Sequence, residues 1–196
     1  MSNDCQTIGL FGGSFNPAHM GHMHVANCGL QRLRLDRIWW MVSPQNPLKT
    51  KQPAYETRVQ SVLNLGLPPR MEISHMERDF DTRFTVDTLR RARKRWPRYH
   101  FVFMMGADNL RQLPQWKGWR EIMETVPIAV IARSGQKNSD TLKARLSPAA
   151  RAYNYARIPE NQAHTLVWHK APAWTYLTPP LNPLSSTAIR MHGKTS

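Results

Sequence analysis

Cysteine and acidic residues are both scarce in this sequence. Only two of the 196 residues are cysteines, Cys5 and Cys28, and they form no Cys-x-x-Cys pair. So few thiols exclude a disulfide-stapled secreted scaffold and are typical of a reduced, intracellular chain. Asp and Glu together number 13 against 27 Lys and Arg, which gives a formal net charge of +14. This excess predicts anionic partners: nucleic acid, membrane headgroups or phosphorylated small molecules.

Long apolar runs are also lacking. Runs such as 101–105 and 128–132 are far shorter than the ~20 residues that a membrane span needs. The first residues, 1–7, are polar and show no basic-then-apolar signal pattern. We therefore expect a cytoplasmic protein with no membrane partner. At this length we expect one domain, 1–196, with 1–6 as a tail and 134–161 as a basic helical insertion or mobile segment.

Short apolar runs alternate with segments of helical period along the chain. The runs predict strands at 7–11, 38–42, 71–74, 100–105, 127–132 and 165–168. The periodic segments predict helices at 20–33, 55–65, 85–96, 119–124 and 141–155, with a short last helix capped by 185–187. The period places Met20 on the buried face of the first helix and Leu63 on that of the second. This alternation predicts an α/β fold: a Rossmann-like, mostly parallel sheet with helices on both faces in a single domain.

The turn after the first strand carries the strongest chemical signal. From Gly12 to His22 the chain reads Gly-Gly-Ser-Phe-Asn-Pro-Ala-His-Met-Gly-His. Paired glycines let a phosphate approach backbone amides, and the helix that follows adds a positive dipole. His19 and His22 can hydrogen-bond phosphoryl oxygens and stabilise charge that develops in a transition state. A metal site of these residues with His24 is not expected, because no nearby cysteine or carboxylate completes a zinc set.

Two later segments carry related chemistry. Gly-Ala-Asp-Asn at 106–109 follows the fourth strand, and Ser-Ser-Thr-Ala-Ile-Arg at 185–190 opens the last predicted helix. Hydroxyls and free amides at a helix start, with Arg190 one turn inside, suit a polyphosphate. In a parallel sheet, ligands bind beyond the carboxyl ends of the strands, at the switch point. We therefore expect the Gly12–His22 turn and Arg190 to converge on a single triphosphate.

In this order the motifs resemble the superfamily of phosphopantetheine, cytidylyl and nicotinate mononucleotide adenylyltransferases. Three further stretches, 83–89, 103–116 and 128–135, resemble segments of the bacterial nicotinate-nucleotide adenylyltransferases. The matches run from Ile8 to Arg190. The resemblance implies adenylyl transfer from ATP to nicotinate mononucleotide in NAD biosynthesis, with release of pyrophosphate and no covalent enzyme intermediate. It also implies Mg²⁺ bound mainly through the ATP phosphates, with no metal site on the protein itself.

The resemblance further implies a role for each matching residue. The catalytic residues would be His19, His22 and Arg190. ATP would be bound by Gly12, Gly13, Ser14, Phe15, His22, Gly106, Asp108, Ser186, Thr187 and Arg190. The mononucleotide would be bound by Lys49, Phe84, Thr85 and Trp116, with the tryptophan stacking on the pyridine ring. Three departures bear on the finer contacts: Asn16 replaces an aspartate, Phe84 replaces a tyrosine, and the loop at 43–49 lacks the usual pattern.

Two alternatives remain open. The first, within the same superfamily, is a phosphopantetheine adenylyltransferase or a cytidylyltransferase. The segments around Thr85 and Trp116 argue against it. The second, from another class, is a basic RNA-binding module that uses the arginines at 90–98. The helical period places most of those arginines on a solvated face, so nucleic acid is not an expected partner. The oligomeric state is left open, a homo-oligomer included.

Overall fold

The computed structural model describes residues 5–44, 52–132 and 138–178, with the backbone alone at 138–141. In these residues the strands are β1 Thr7–Gly13, β2 Arg37–Val42, β3 Met71–Ser74, β4 His100–Gly106, β5 Ile128–Ile131, β6 Arg157–Ile158 and β7 Trp174–Leu177. The α-helices are α1 Met20–Arg32, α2 Tyr55–Leu63, α3 Met76–Asp79, α4 Thr85–Arg95, α5 Ala107–Gln112, α6 Trp119–Thr125, α7 Asn138–Arg145 and α8 Pro148–Ala152. Short 3₁₀ helices cover Leu113–Gln115, Asn154–Ala156 and Glu160–Trp168.

The strands form one seven-stranded sheet in the order β3-β2-β1-β4-β5-β7-β6. Every pairing between neighbours in this described sheet is parallel. The chain starts in the middle with β1 and adds β2 and β3 on one side. It then crosses back to place β4 against the other side of β1 and continues outward. The expected α/β fold with a parallel sheet is therefore confirmed.

Both faces of the sheet are buried, and helices supply the cover. On one face Ile8 and Leu10 of β1 share a core with α4, α5 and α6. On the other face Phe11 shares a core with α1, α2 and the 3₁₀ helix at Glu160–Trp168. The strands β4, β5 and β7 are buried almost throughout, which explains why they appear in the sequence as apolar runs.

Two residues predicted to face the core are exposed instead. Met20 is 61% exposed, since α1 begins at the edge where β1 ends and its first residue has no strand to pack against. Leu63, the last residue of α2, is 49% exposed. The buried positions of α2 are Arg58 and Val62, four residues apart on one face of the helix. A buried arginine at this position was not expected.

Two predictions in the last third of the chain were wrong. The run 165–168 is not a strand but the end of the 3₁₀ helix, and the final strands are β6 and β7. The single helix predicted at 141–155 is two helices, α7 and α8. The break comes at Ser147-Pro148, because proline disfavours helical backbone in the residue before it. The Ser147 hydroxyl then accepts from the Ala150 amide at 3.3 Å and caps α8.

Within the described residues, no helix combines the length and the apolar character needed to cross a membrane.

Candidate active site

The order of the strands brings two of the predicted motifs together. Strands β1 and β4 are hydrogen-bonded neighbours with Phe11 opposite Met104, so they end at the same edge of the sheet. Gly12 and Gly13 are the last two residues of β1, and we call the segment 12–18, which leads from them toward α1, the glycine turn. Gly106 and Asp108 stand at the end of β4 and the start of α5. Strands continue outward from β1 and β4 in opposite directions, so this is the switch point of the sheet, where ligands bind in such folds.

Close packing explains both glycines of the turn. A Cβ on Gly12 would lie 3.0 Å from the ring of Phe103, and one on Gly13 would lie 2.9 Å from the ring of Phe15. Phe15 itself has a positive φ of 44°, is 2% exposed and packs edge-on against His22, with ring centroids 5.2 Å apart. The aromatic ring therefore fills the space beneath the turn, while the glycine backbone forms its outer surface.

The histidines of the His-Met-Gly-His motif cap α1 reciprocally. His19 Nδ1 accepts from the Gly21 amide at 3.1 Å, and His22 Nδ1 accepts from the His19 amide at 3.2 Å. A ring whose Nδ1 accepts carries its proton on Nε2 when neutral, so capping sets both tautomers. A Cβ on Gly21 would lie 2.9 Å from the His19 ring, so glycine is the residue that lets the ring fold over the first turn.

A cavity of about 250 Å³ opens in front of these histidines. His19 and His22 line it, as do Gly106 and Asp108 from the neighbouring strand end. The remaining lining residues are Phe11, Gly12, Gly13, Ser14, Phe15, Asn16, Pro17, Val25 and Asn109. We call it the histidine cavity. Imidazole donors, backbone amides and the N-terminus of a 13-residue helix make it suited to a phosphate group.

A second cavity, of about 330 Å³, lies on the other side of the glycine turn. It holds three of the residues that the resemblance assigns to the mononucleotide: Phe84, Thr85 and Trp116. The other lining residues are Gly12, Gly13, Ser14, Met41, Ser43, Glu77, Arg83, Phe103, Asn109, Gln115 and Lys117. We call it the tryptophan cavity. Its aromatic rings suit a flat ring, and its cations suit an anionic substituent.

The two cavities share one wall. Gly12, Gly13, Ser14 and Asn109 line both of them. A ligand in each cavity would therefore meet the other at the glycine turn. Four predicted site residues, Lys49, Ser186, Thr187 and Arg190, lie outside the described residues, as does the helix expected from 185 onward. Their assignments, and the convergence of Arg190 on the turn, stay predictions.

Comparison with known proteins agrees with this arrangement. The cytidylyltransferase-like family model matches residues 10–192. The chain is 47% identical over 188 residues to a probable nicotinate-nucleotide adenylyltransferase of Ruegeria sp. (strain TM1040), covering 95% of this chain and 97% of that protein. A protein of the same name from Caulobacter sp. (strain K31) is 49% identical over 188 residues, covering 93% and 96%. The chain belongs to the nicotinate-nucleotide adenylyltransferase family.

The fold is also similar to that of a distant solved structure. This is the Plasmodium falciparum nicotinic acid mononucleotide adenylyltransferase complexed with NaAD, with a TM-score of 0.61 and 15% identity. The match covers 95% of this chain and 83% of that one. At this identity the likeness concerns the fold, which agrees with the parallel sheet described above.

Sequence reasoning missed several residues of this adenylyltransferase site. Arg83, Asn109 and Lys117 line the cavities, and each directly adjoins a residue that had been singled out: Phe84, Asp108 or Trp116. Adjacency along the chain was the signal that could have found them. Ser43 begins the loop at 43–49, whose departure from the family pattern drew attention to the loop but not to this residue. Glu77 gave no such signal, since it comes from α3. Their place at the site depends on the packing of the sheet.

Glu77 contributes the carboxyl group of the tryptophan cavity's described lining. It is 8% exposed, and burial raises the pKa of its carboxyl from 4.5 to about 7. A hydrogen bond from the Ser43 side chain and the charge of Arg58 oppose this rise without cancelling it. The folded protein therefore binds a proton on Glu77 at a pH where the unfolded chain has lost it. Stability that comes from this proton is present below the unfolded pKa and is lost as the pH rises through about 7.

The Glu77→Gln variant tests this linkage, because the amide keeps the shape of the neutral acid and cannot ionise. Relative to the parent, its free energy of unfolding should rise by up to about 3 kcal/mol between about pH 5 and pH 8. Urea unfolding curves across that range measure the difference. Glu72→Gln, at an exposed position on β3, is the matched control and should follow the parent. Parallel pH curves for the parent and Glu77→Gln would contradict the assignment.

Proposed function

We propose that this protein transfers the adenylyl group of ATP to nicotinate mononucleotide, giving nicotinate adenine dinucleotide and pyrophosphate. The observation that carries the proposal is the pair of cavities that meet at the glycine turn. One suits a polyphosphate and the other a flat anionic ring. The curated relatives carry the name of this activity. In this role the protein would act in cytoplasmic NAD biosynthesis.

In the proposed reaction the phosphate of the mononucleotide attacks the α-phosphorus of ATP. A new P–O bond forms, the bond between the α-phosphorus and the bridging oxygen breaks, and pyrophosphate leaves with that electron pair. The attacking phosphate is already ionised near neutral pH, so no general base is needed. The protein's task is to align two polyanions and to stabilise the charge that moves to the leaving group.

Each cavity then has a defined part. His19 and His22 donate from Nε2 to the ATP phosphates, and the backbone of Gly12 and Gly13 allows the α-phosphate to approach. Asp108 lines the histidine cavity, and with Gly106 it would meet the adenosine ribose or the facing nucleotide. Ser186, Thr187 and Arg190 are assigned to the β- and γ-phosphates by the resemblance alone.

The mononucleotide would occupy the tryptophan cavity. Trp116 would stack on the pyridine ring, and Phe84 and Thr85 would lie beside it. Lys49 is assigned to a phosphate by the resemblance alone. Arg83 and Lys117, on either side of these residues, add positive charge that favours nicotinate over the neutral carboxamide of nicotinamide. Lys117 already lies over the Phe84 ring, with its Nζ 4.3 Å from the ring centroid.

Magnesium would enter this site with ATP. No cluster of three His, Cys, Asp or Glu side chains within the described residues could hold a metal ion by itself. Asp108 is the carboxylate that the described lining contributes to the histidine cavity, which fits an ion held mainly by phosphate oxygens. When bound, the ion neutralises the charge of the triphosphate.

The contacts of the basic helix α4 do not favour RNA binding. Arg90 pairs with Asp87 at 3.2 Å and with Glu121, and Arg93 donates to the Thr125 carbonyl at 3.0 Å. Arg91 donates to the carbonyl of Phe80. These side chains hold α4 against its neighbours, so they serve the fold rather than a nucleic-acid surface.

A pyrophosphate-release assay tests the function directly. The purified protein is incubated with ATP, Mg²⁺ and one acceptor: nicotinate mononucleotide, nicotinamide mononucleotide or phosphopantetheine. We expect the highest kcat/KM with nicotinate mononucleotide, since that ligand carries both the ring and the anionic substituent. CTP with choline phosphate is the control for cytidylyl transfer. The proposal would be overturned if pyrophosphate were released only with phosphopantetheine as the acceptor, or only with CTP and choline phosphate.

His22→Ala tests the phosphate-binding role. Loss of a donor that stabilises developing charge should lower kcat by about 10²-fold, whereas the lost cap should destabilise the fold by only about 1 kcal/mol. Steady-state kinetics and thermal unfolding measure the two effects. Met20→Ala, on the same helical turn but exposed, should leave both unchanged. A folded His22→Ala variant with parental turnover would exclude this role.

Trp116→Ala tests stacking in the tryptophan cavity. The variant should raise the KM for nicotinate mononucleotide by about tenfold or more, the scale of a lost aromatic stack, and should change the KM for ATP much less. Trp168→Ala, at a 63% exposed position that contacts His100, is the control and should change neither constant. Equal increases in both KM values for Trp116→Ala would argue against stacking.

A further inference from the structure

Helix α2 holds a buried arginine that donates to four main-chain carbonyls. Arg58 is 1% exposed. Its Nε donates to the Pro53 carbonyl at 3.2 Å, and its Nη2 donates to the Pro44 carbonyl at 2.8 Å. Its Nη1 donates to the carbonyls of Ser14, at 2.9 Å, and Ser43, at 2.6 Å. One guanidinium thus joins chain segments that are up to 44 residues apart in sequence.

Two of these carbonyls belong to residues that line the site. Ser14 lies in the glycine turn after β1 and lines both cavities, and Ser43 follows β2 and lines the tryptophan cavity. Strands β1 and β2 are neighbours, and the Ser43 amide donates to the Gly13 carbonyl at 3.1 Å. Arg58 is not among the described lining residues of either cavity. It lies behind both loops and fixes their separation.

A second contact of α2 acts on the same turn. The Ser61 hydroxyl, one helical turn beyond Arg58, accepts from the Ala18 amide at 3.0 Å and lies 3.4 Å from the Phe15 carbonyl. Arg58 and Ser61 together tether residues 14–18, which lead directly into the His19 cap. The position of the glycine turn and of the capping histidines is therefore set from α2.

The chemistry of this arrangement indicates that Arg58 sets the geometry of the loops rather than adding stability to the fold. Burial lowers the pKa of Arg58, while Tyr55, Glu56 and Glu77 nearby favour its charged form. An apolar residue could fill this position without any cost of burying a charge, but it could not bind carbonyls from several segments at once. A planar guanidinium carries five donors in a fixed fork and can, whereas a lysine has three donors on one nitrogen and cannot satisfy all four carbonyls.

We propose that Arg58 is a positioning residue for adenylyl transfer: it holds the glycine turn and the loop after β2 at the separation that aligns the two substrates. The proposal rests on the proposed function for its kinetic readout. Each substrate has its own cavity, so loss of Arg58 should disturb alignment more than binding. Misplacement by about 1 Å is enough to lower turnover by about 10²-fold.

Arg58→Lys is the test, and Arg70→Lys is its matched control. Arg70 also donates to main-chain carbonyls, those of Leu35 and Asp36, but at the opposite end of the sheet, where β2 begins. We expect Arg58→Lys to lower kcat by about 10²-fold with both KM values within about threefold of the parent. Arg70→Lys should keep the parental kcat. Both are assayed at a temperature where circular dichroism shows them folded.

Amide hydrogen exchange without substrate provides a readout that does not depend on the reaction. Peptides covering 12–18 and 41–44 should exchange faster in Arg58→Lys than in Arg70→Lys or the parent. If the parent releases no pyrophosphate, the proposed function fails, and this exchange comparison alone decides the positioning role. Equal exchange in all three proteins would overturn it.

The kinetic outcomes are equally distinct. A parental kcat in folded Arg58→Lys would overturn the proposal. So would a decrease in kcat that, in both lysine variants, is no larger than the fraction of unfolded protein explains. Should Arg58→Lys fail to fold, Ser61→Ala decides, because it removes one tether and no charge. That variant should lower kcat several-fold with steady KM values, and an unchanged kcat would reject the role of α2.

Discussion

The adjacency of β1 and β4 is the constraint on which the rest of this molecule depends. A parallel sheet that grows outward from its middle must leave a gap between its crossovers where the direction of growth reverses. Here the gap lies over the ends of β1 and β4, and the chain fills it with a glycine turn on one side and Asp108 on the other. Both cavities open at this edge of the sheet.

The capping histidines show how one group can serve fold and chemistry together. A helix start leaves amides without intrahelical partners, and serine or aspartate usually accepts from them. Here the Nδ1 atoms of His19 and His22 accept instead, and each ring remains a donor through Nε2. An aspartate cap would satisfy the same amides but would place negative charge beside a phosphate. Imidazole is thus suited to cap a helix whose N-terminus must also receive an anion.

The parts of this structure that the sequence predicted are those governed by local chemistry. Buried strands appear as apolar runs, and the glycine turn appears as Gly-Gly before His-x-Gly-His, since both patterns act within a few residues. Arg58 could not be predicted in this way. A basic residue in a polar helix is expected to face water, and its burial depends on a carbonyl 44 residues earlier. Leu63 is exposed for the same reason: α2 turns the face that carries Arg58 and Val62 toward the core.

Charged side chains have different surroundings on helix α4 and at the two cavities. Arg90, Arg91 and Arg93 of α4 are engaged with carboxylates and carbonyls of neighbouring elements at the protein surface. In the described lining of the two cavities the carboxyl groups are those of Asp108 and Glu77, and burial raises the pKa of Glu77 to about 7. A basic chain with a site poor in ionised acid attracts phosphorylated ligands over long range and does not repel them on arrival. The net charge of +14 therefore complements the two cavities, although it did not by itself distinguish a nucleotide from a nucleic acid.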